Sequence, residues 1–507
     1  MSITMKTERA GWLFLITIFL TGCSVGKNTY SPTKKFSLQQ VEKDYSLYQN
    51  ILEAHHPSLY WYTSKDSMNY FFKYGKSLLK DSMTEIDFRK VLNYVTAQIG
   101  CGHTTTRASK GLTKYADKAP LSKLFPLSVK IWPQAAVVTA NLNRKDSIIK
   151  RGTVITSING KTIQEITDTL FRYISTDGHN NTHRYQRLSS FGAFGSAYTS
   201  IFGLSDKYAI SYIAANGNIV TDSIAVYNIA ADTAGRKAVK PPVVNPPPRP
   251  SRHDRKEAML NRSRLLQIDT VNKTAMMNLA TFTKNYGLRR FFKNSFNKKK
   301  KNDIKYLIID LRSNGGGSVS NSTILSRYIA NHRFKICDTL FSIRRKSPYH
   351  KYIKGYFWNH LFMNLFTARK RDGSFHFGYF ERHFFKPKKA NHFDGNVYVL
   401  TGGNSFSATT LFLSSVIKQD NVTVIGEETG GGAYGNSAWL IPDVTLPETG
   451  VRFRLPLFRL VIDKEIPKNG SGVQPEIEVL PSIADVRKGN DNKLDKAMEL
   501  IKKDKAK

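Results

Sequence analysis

The stretch Tyr306-Leu-Ile-Ile-Asp-Leu-Arg-Ser-Asn-Gly-Gly-Gly-Ser318 constrains this chain more than any other. A short apolar run reads as a buried strand and passes through Asp310 and Arg312 into three consecutive glycines. Glycines at a strand end let backbone N–H groups approach a substrate atom closely. A tight turn would use them too. A second segment, Val397-Tyr-Val-Leu-Thr-Gly-Gly-Asn-Ser-Phe-Ser-Ala-Thr-Thr410, has the same plan: a strand, a Gly-Gly turn, then serines opening a helix. Two such turns argue for a site more than for isolated loops.

Around these segments, residues 263–482 alternate strands with helical patterns. Strands are expected at Thr274–Leu279, Tyr306–Asp310, Val397–Leu400 and Val422–Ile425, and helices at Ser320–His332 and Ser407–Lys418. That alternation predicts an α/β layered core. It is interrupted by an insertion at 343–393, rich in Arg, Lys, His, Phe, Tyr and Trp. Its run Tyr356 to Phe366 fits a solvated, packed flap. A membrane-facing or lid segment is the second reading, because basic and aromatic residues suit a lipid interface.

Upstream, 36–110 carries helical periodicity: Val41, Tyr45, Tyr48, Ile51 and Leu52, then Met68, Phe71, Phe72 and Leu78, then Phe88, Val91, Leu92, Val95 and Ile99. Thr84 and Asp87 predict the start of the third helix. Pro57 breaks the first run, and His55 and His56 are read as structural. Residues 121–230 turn to strand patterns, with an Asn159-Gly160 hairpin turn. The prolines of Lys240–Pro250 make 231–262 a basic linker or exposed loop. Residues 23–35 read as a tether and 483–507 as a basic C-terminal helix.

The N-terminus bears Lys6 and Arg9, an apolar run from Gly11 to Leu20, and Leu20-Thr-Gly-Cys23. The run is short for a bilayer span, which takes ~20 apolar residues. The expectation is a signal peptide over 1–22. The last four residues look like a bacterial lipobox, which implies cleavage before Cys23 and lipidation of its thiol. A plain signal peptide is the alternative. Cys101 and Cys337 then remain, too few for a disulfide framework. Cys101 and His103 lack a second cluster at zinc-like spacing, so no metal is expected. With 76 Lys and Arg against 39 acidic residues, the formal charge is +37. That favours anionic surfaces such as lipid, envelope polysaccharide or acidic substrate. Nucleic acid is set aside, because the chain is read as exported and no nucleic-acid-binding motif stands in it.

The glycine turn and the serine turn together resemble the C-terminal-processing (tail-specific) peptidase family of serine proteases, in its tricorn-core-like branch. The resemblance implies an α/β multidomain fold: an N-terminal helical domain, a PDZ-like β domain and a crotonase/ClpP-like peptidase core. Ile148 to Ile163 is similar to a PDZ segment, with Thr153 in place of Asp and no carboxylate-binding Gly-Leu-Gly-Phe loop. A degenerate, structural module is therefore as good a reading as a peptide-gripping one. The family's motif places the nucleophile at Ser407, with Ser405 supporting it, and the oxyanion hole at the backbone N–H groups of Gly316 and Ala408. Asp310 and Arg312 would brace the glycine loop.

Many members use a lysine in a Gly-x-x-Thr-x-Gly-Lys segment; here Gly426-Glu-Glu-Thr-Gly-Gly-Gly432 puts glycine there. The tricorn-like branch uses Ser, His and Glu. Ile99-Gly-Cys-Gly-His-Thr104 matches the histidine's place, which makes His103 the implied base. The acid is expected upstream of Gly472-Val-Gln-Pro-Glu-Ile477, at Glu465 with Asp463 as the alternative, although Asn469 holds the aligned position. The implied function is an envelope-anchored serine endopeptidase working through an acyl-enzyme on polypeptides, without a cofactor. An inactive relative that binds peptides or envelope components is the alternative.

Overall fold

The computed structural model describes residues 30–119, 122–230 and 251–506. The apolar run with Cys23, and the Pro-rich stretch to Pro250, lie outside the described residues.

Three helices open the described chain: Leu38–His55, Lys65–Ser77 and Glu85–Gln98. Each begins where a hydroxyl can take up an unpaired N–H. Ser37 and Gln40 form a reciprocal capping box on the first helix, and Thr84 and Asp87 do so on the third. The face bearing Val41, Tyr45, Tyr48, Ile51 and Leu52 is buried as its spacing predicts. What it packs on was not legible. These helices share one apolar core with Val444, Leu446, Phe453 and Leu455 and with Met363 and Phe377 of the insertion. Tyr48 meets Phe453 edge-on at 5.1 Å.

The middle block is a six-stranded antiparallel sheet. Its strands run, in spatial order, Ile219–Ala225, Lys207–Ile213, Val154–Ile158, Ala135–Asn141 and Leu127–Trp132, with Lys161–Thr162 on Val154–Ile158. Asn159 and Gly160 make the two-residue hairpin, both at positive φ (50° and 77°). Three helices, Ile163–Phe171, Asn181–Ser189 and Ala193–Phe202, belong to this block, which the strand pattern alone had not indicated. The link between the first two, Thr176 to Asn180, is buried except at His179 and reaches the site described below.

The last block is built on a sheet ordered Arg264–Asp269, Thr274–Leu279, Tyr306–Asp310, Asn396–Thr401, Val422–Gly426 and Ile477–Glu478. The pairings are parallel from Thr274–Leu279 onward. The apolar runs are continuous because both faces are covered. Helices Leu288–Lys301, Val319–Ile329 and Ala408–Ser414 cover one face, and Asn492–Lys505 covers the other with Ala497 and Ile501. The order places the glycine turn after Asp310 beside the serine turn after Thr401. Parallel neighbours end on the same side.

Two expectations change. The linker or loop expected over 231–262 contains, in its described part, the helix Arg252–Asn261, capped by Ser251 and Asp254. The proline density that excludes a packed element stops at Pro250. The C-terminal segment holds two helices, Ile483–Lys488 and Asn492–Lys505, broken at Gly489, which adopts positive φ (78°). Among the described residues no helix is long and apolar enough to cross a membrane.

The third-helix cap gives a direct check. Thr84→Ala is expected to lower stability by ~1 kcal/mol, read as a lower urea midpoint with an unchanged slope. An unchanged midpoint would show that the cap adds nothing.

Candidate active site

Ser407 stands at the turn between the strand Asn396–Thr401 and the helix Ala408–Ser414. Its backbone is left-handed, φ 58° and ψ −118°. A non-glycine residue pays strain for such a conformation, of order 1–3 kcal/mol, and keeps it only where its surroundings force it. Here they do. Phe406 N–H donates to the Asn314 carbonyl at 3.0 Å, and Gly431 N–H donates to the Ser405 carbonyl at 3.1 Å. The Ser405 hydroxyl donates to the Leu311 carbonyl at 2.8 Å and accepts from Gly402 N–H at 3.2 Å. Ser405 is thus a fully buried strut joining the two turns.

Gly316 packs directly under the serine. A Cβ there would lie 2.6 Å from the Phe406 carbonyl oxygen and 2.8 Å from Ser407 Cβ, and its φ is 90°. Only glycine fits. The oxyanion expectation needs correction at this residue, because Gly316 N–H already donates to Asn314 Oδ1 at 2.9 Å. Neither the N–H of Gly317, which lines the same cavity as Ser407, nor that of Ala408, the first residue of the helix, takes part in a loop or turn backbone hydrogen bond. The glycine loop is braced from the other side. Arg312 grips Asp310 with Nε and a terminal nitrogen at 3.0 and 2.7 Å, and also holds Asp491 at the head of the last helix. Burial opposes the Arg312 charge, but these two carboxylates hold its pKa above the ordinary arginine value.

His103 follows the third helix in the turn Cys101-Gly-His103. Its ring is 6 % exposed and lies 5.0 Å, centroid to centroid, from the ring of Phe406, the residue before the serine. Gly102 permits this, since a Cβ there would strike the Phe406 ring. The fold therefore brings the two widely separated segments together. No hydrogen bond yet joins the two side chains: both imidazole nitrogens of His103 are buried without a partner. The other side of the contact is His183, which sequence reasoning missed. It stacks on Phe406 at 4.9 Å and bonds Thr176 Oγ1 at 2.9 Å. Burial and Arg187 lower its pKa to about 3, so it stays neutral.

The acid beside His103 is not the expected one. Glu465 is exposed, and its N–H merely donates to Asp463 Oδ1 at 2.9 Å, while Asp463 lies 3.7 Å from Lys418 Nζ. The carboxylate that faces His103 is Asp177, from the middle block, with Oδ1 3.7 Å from Nδ1. Asp177 accepts from Gly102 N–H at 2.8 Å and from Gly432 N–H at 3.3 Å. The glycine at the family's lysine position thus gives its backbone to the acid. The Thr176-Asp177-Gly178 turn carried no distinguishing signal beyond an Asp-Gly pair.

Cys101 completes a buried trio. Burial disfavours its thiolate, yet the His103 and His56 rings lower its pKa to about 6. Burial also disfavours a charged imidazole at His103, but Asp177 and Cys101 outweigh it and raise its pKa to about 9. The two shifts run in the same direction, toward charge on both the imidazole and the thiol. Donor atoms of Cys101, His103 and Asp177 lie within 4.8 Å of one another. That is three ligand types a zinc ion accepts, one short of a closed structural site.

Ser407 opens onto a cavity of about 690 Å³. Val319, Leu411, Phe380, Trp439 and Leu440 line it, with Lys284, Arg289, Arg327 and Arg454 among its polar groups.

Comparison with known proteins bears on this arrangement. Residues 273–479 match the Peptidase family S41 domain. Mature CPAF complexed with lactacystin superposes with a TM-score of 0.61 at 14% identity, covering 92% of this chain and 98% of that one. Mature CPAF alone gives 0.61 at 13%, covering 92% and 97%. Tricorn protease is matched over 91% of this chain and 37% of its own, at 14% identity and a TM-score of 0.38. No curated protein matches the chain. The likeness to CPAF shows the fold; the match over 273–479 shows that this chain carries a serine peptidase domain of family S41.

Proposed function

We propose that this chain is a serine endopeptidase of the bacterial cell envelope, held to the membrane by a lipid on Cys23, with Ser407 as nucleophile and His103 as base. The single observation that carries the site is the packing of Phe406 on the His103 ring, which sets Ser407 next to the residue in contact with the imidazole. The strained turn at Ser407 supports it.

In the mechanism, neutral His103 takes the Ser407 proton while Oγ attacks a peptide carbonyl. The developing oxyanion is met by the N–H groups of Ala408 and Gly317. Protonated His103, stabilised by Asp177, gives its proton to the leaving amine. Water then attacks the acyl-enzyme with His103 again as base, and no cofactor takes part. The apolar walls of the cavity favour an apolar side chain next to the cleaved bond. The Ser407–His103 hydrogen bond is not made in the substrate-free protein, and catalytic contacts often tighten only with substrate. The unmade bond is also the observation that favours the second reading, an inactive relative that binds peptides.

A fluorophosphonate probe separates the two. Labelling is expected at Ser407, absent in Ser407→Ala, and slowed about 10²–10⁴-fold in His103→Ala. A folded protein that never labels would support the binding role. Loss in Lys284→Ala, with His103→Ala unaffected, would assign the base to the lysine that lines the same cavity.

The pH profile tests the base itself. His103 must be neutral to accept a proton, and a pKa of about 9 keeps it charged below that pH. Labelling should therefore rise about tenfold per pH unit toward a plateau above the pKa. Asp177→Asn and Cys101→Ala each remove a negative partner, so each should move the plateau to lower pH. A profile flat from pH 6 upward (roughly the unperturbed histidine range) would exclude His103 as the base.

A further inference from the structure

The insertion carries a surface that the peptidase reading does not use. The helix Tyr356–Phe366 rests on the body through Phe362 and Met363, with Phe362 5.4 Å from Phe377. Its other face points outward. Trp358 is 70 % exposed, Phe357 and Leu365 each 67 %, and Phe366 and Leu361 are exposed as well. Spacings of three, four and seven residues put Phe357, Trp358, Leu361 and Leu365 on one stripe. Lone exposed apolar side chains are ordinary, but a contiguous stripe of this kind marks an interaction site.

Charge decides what covers it. From Ile343 to Arg371 the chain has no acidic residue. Arg344, Lys346, Lys351, Lys354, Arg369 and Arg371 are all exposed around the helix. Aromatic rings that settle at headgroup depth, ringed by cations, fit a bilayer surface bearing anionic lipid. A second copy of the chain would bring like charge to like charge, in a protein whose formal charge is +37. We propose that this helix is an interfacial docking element that lies in an anionic lipid surface, independently of any lipid on Cys23 and of whether Ser407 acts. The stripe is tied to the cleft by packed rings. Phe362 touches Phe377, Phe377 touches Phe380 at 4.9 Å, and Phe380 touches Trp439 at 4.5 Å. The last two line the Ser407 cavity. Docking would hold the cleft at the membrane surface and present it to peptide segments there.

Hydrogen–deuterium exchange of the full chain reads the helix directly, whatever the N-terminus does. Vesicles of phosphatidylcholine with about 30 mol% phosphatidylglycerol are expected to slow exchange over 356–366 by about fivefold or more, with little effect from phosphatidylcholine alone. Salt at about 0.5 M should reverse the slowing. Trp358→Ser with Leu365→Ser should abolish it, and fluorophosphonate labelling should stay as in the unaltered chain. Unchanged exchange on anionic vesicles overturns the proposal. So does protection that survives in the double variant. Protection that grows with protein concentration in the absence of lipid would also overturn it, by assigning the face to a second copy.

Discussion

The Asp177 carboxylate joins three lengths of chain that are far apart in sequence. It takes N–H groups from Gly102 and Gly432 and faces the His103 ring. A carboxylate buried this deeply costs several kcal/mol unless charges and donors meet it. Here the donors come from the helical segment and the α/β block, and the acid comes from the antiparallel block between them. The charge is satisfied only when all three are in place. Each donor is a backbone group on a glycine; a Cβ at Gly102 would lie a tight 3.3 Å from Asp177 N, and one at Gly432 would strike the Gly435 carbonyl oxygen at 2.5 Å. Gly178 and Gly470 lie against each other beside it, and His179 N–H donates to the Gly470 carbonyl at 3.1 Å.

The same logic governs the serine turn. Asn314 holds the two strand ends together. Its side chain accepts from Gly316, and its carbonyl accepts from Phe406 N–H and from the Thr409 hydroxyl. These bonds fix Ser407 in a backbone conformation it would not adopt alone. They also turn the Phe406 ring into the gap between His103 and His183. The Arg312 clamp carries the restraint to the C-terminal helix, so the outer face of the sheet and the glycine loop are fixed together.

Much was legible where the relevant physics is local. The apolar runs at Tyr306–Asp310 and Thr274–Leu279 are strands at those bounds, because β-branched and apolar runs between turn residues have few other solutions. Thr84 and Asp87 cap a helix because their side chains reach N–H groups three residues away. The Asn159-Gly160 turn follows from which residues tolerate positive φ. The family's motif led to the serine turn and to the His103 turn for a related reason, since the glycines around each are needed by the backbone itself. Asp177 was not legible, because its role depends on where another block's loop comes to rest. Glu465 was favoured on its distance from Gly472 along the chain, and chain distance does not measure distance in space. Gly316 lost its expected donor role to Asn314, a neighbour two residues away whose side chain turns inward.

The sequence by itself determined the strands, the capped helices, the glycine turns and the family resemblance, all set by the reach of a residue or its immediate neighbours. Tertiary structure alone decided which carboxylate meets His103 and which face of Tyr356–Phe366 stays uncovered. Each of those depends on desolvation and packing between segments hundreds of residues or several elements apart, and burial has no value until the partner surface is in place.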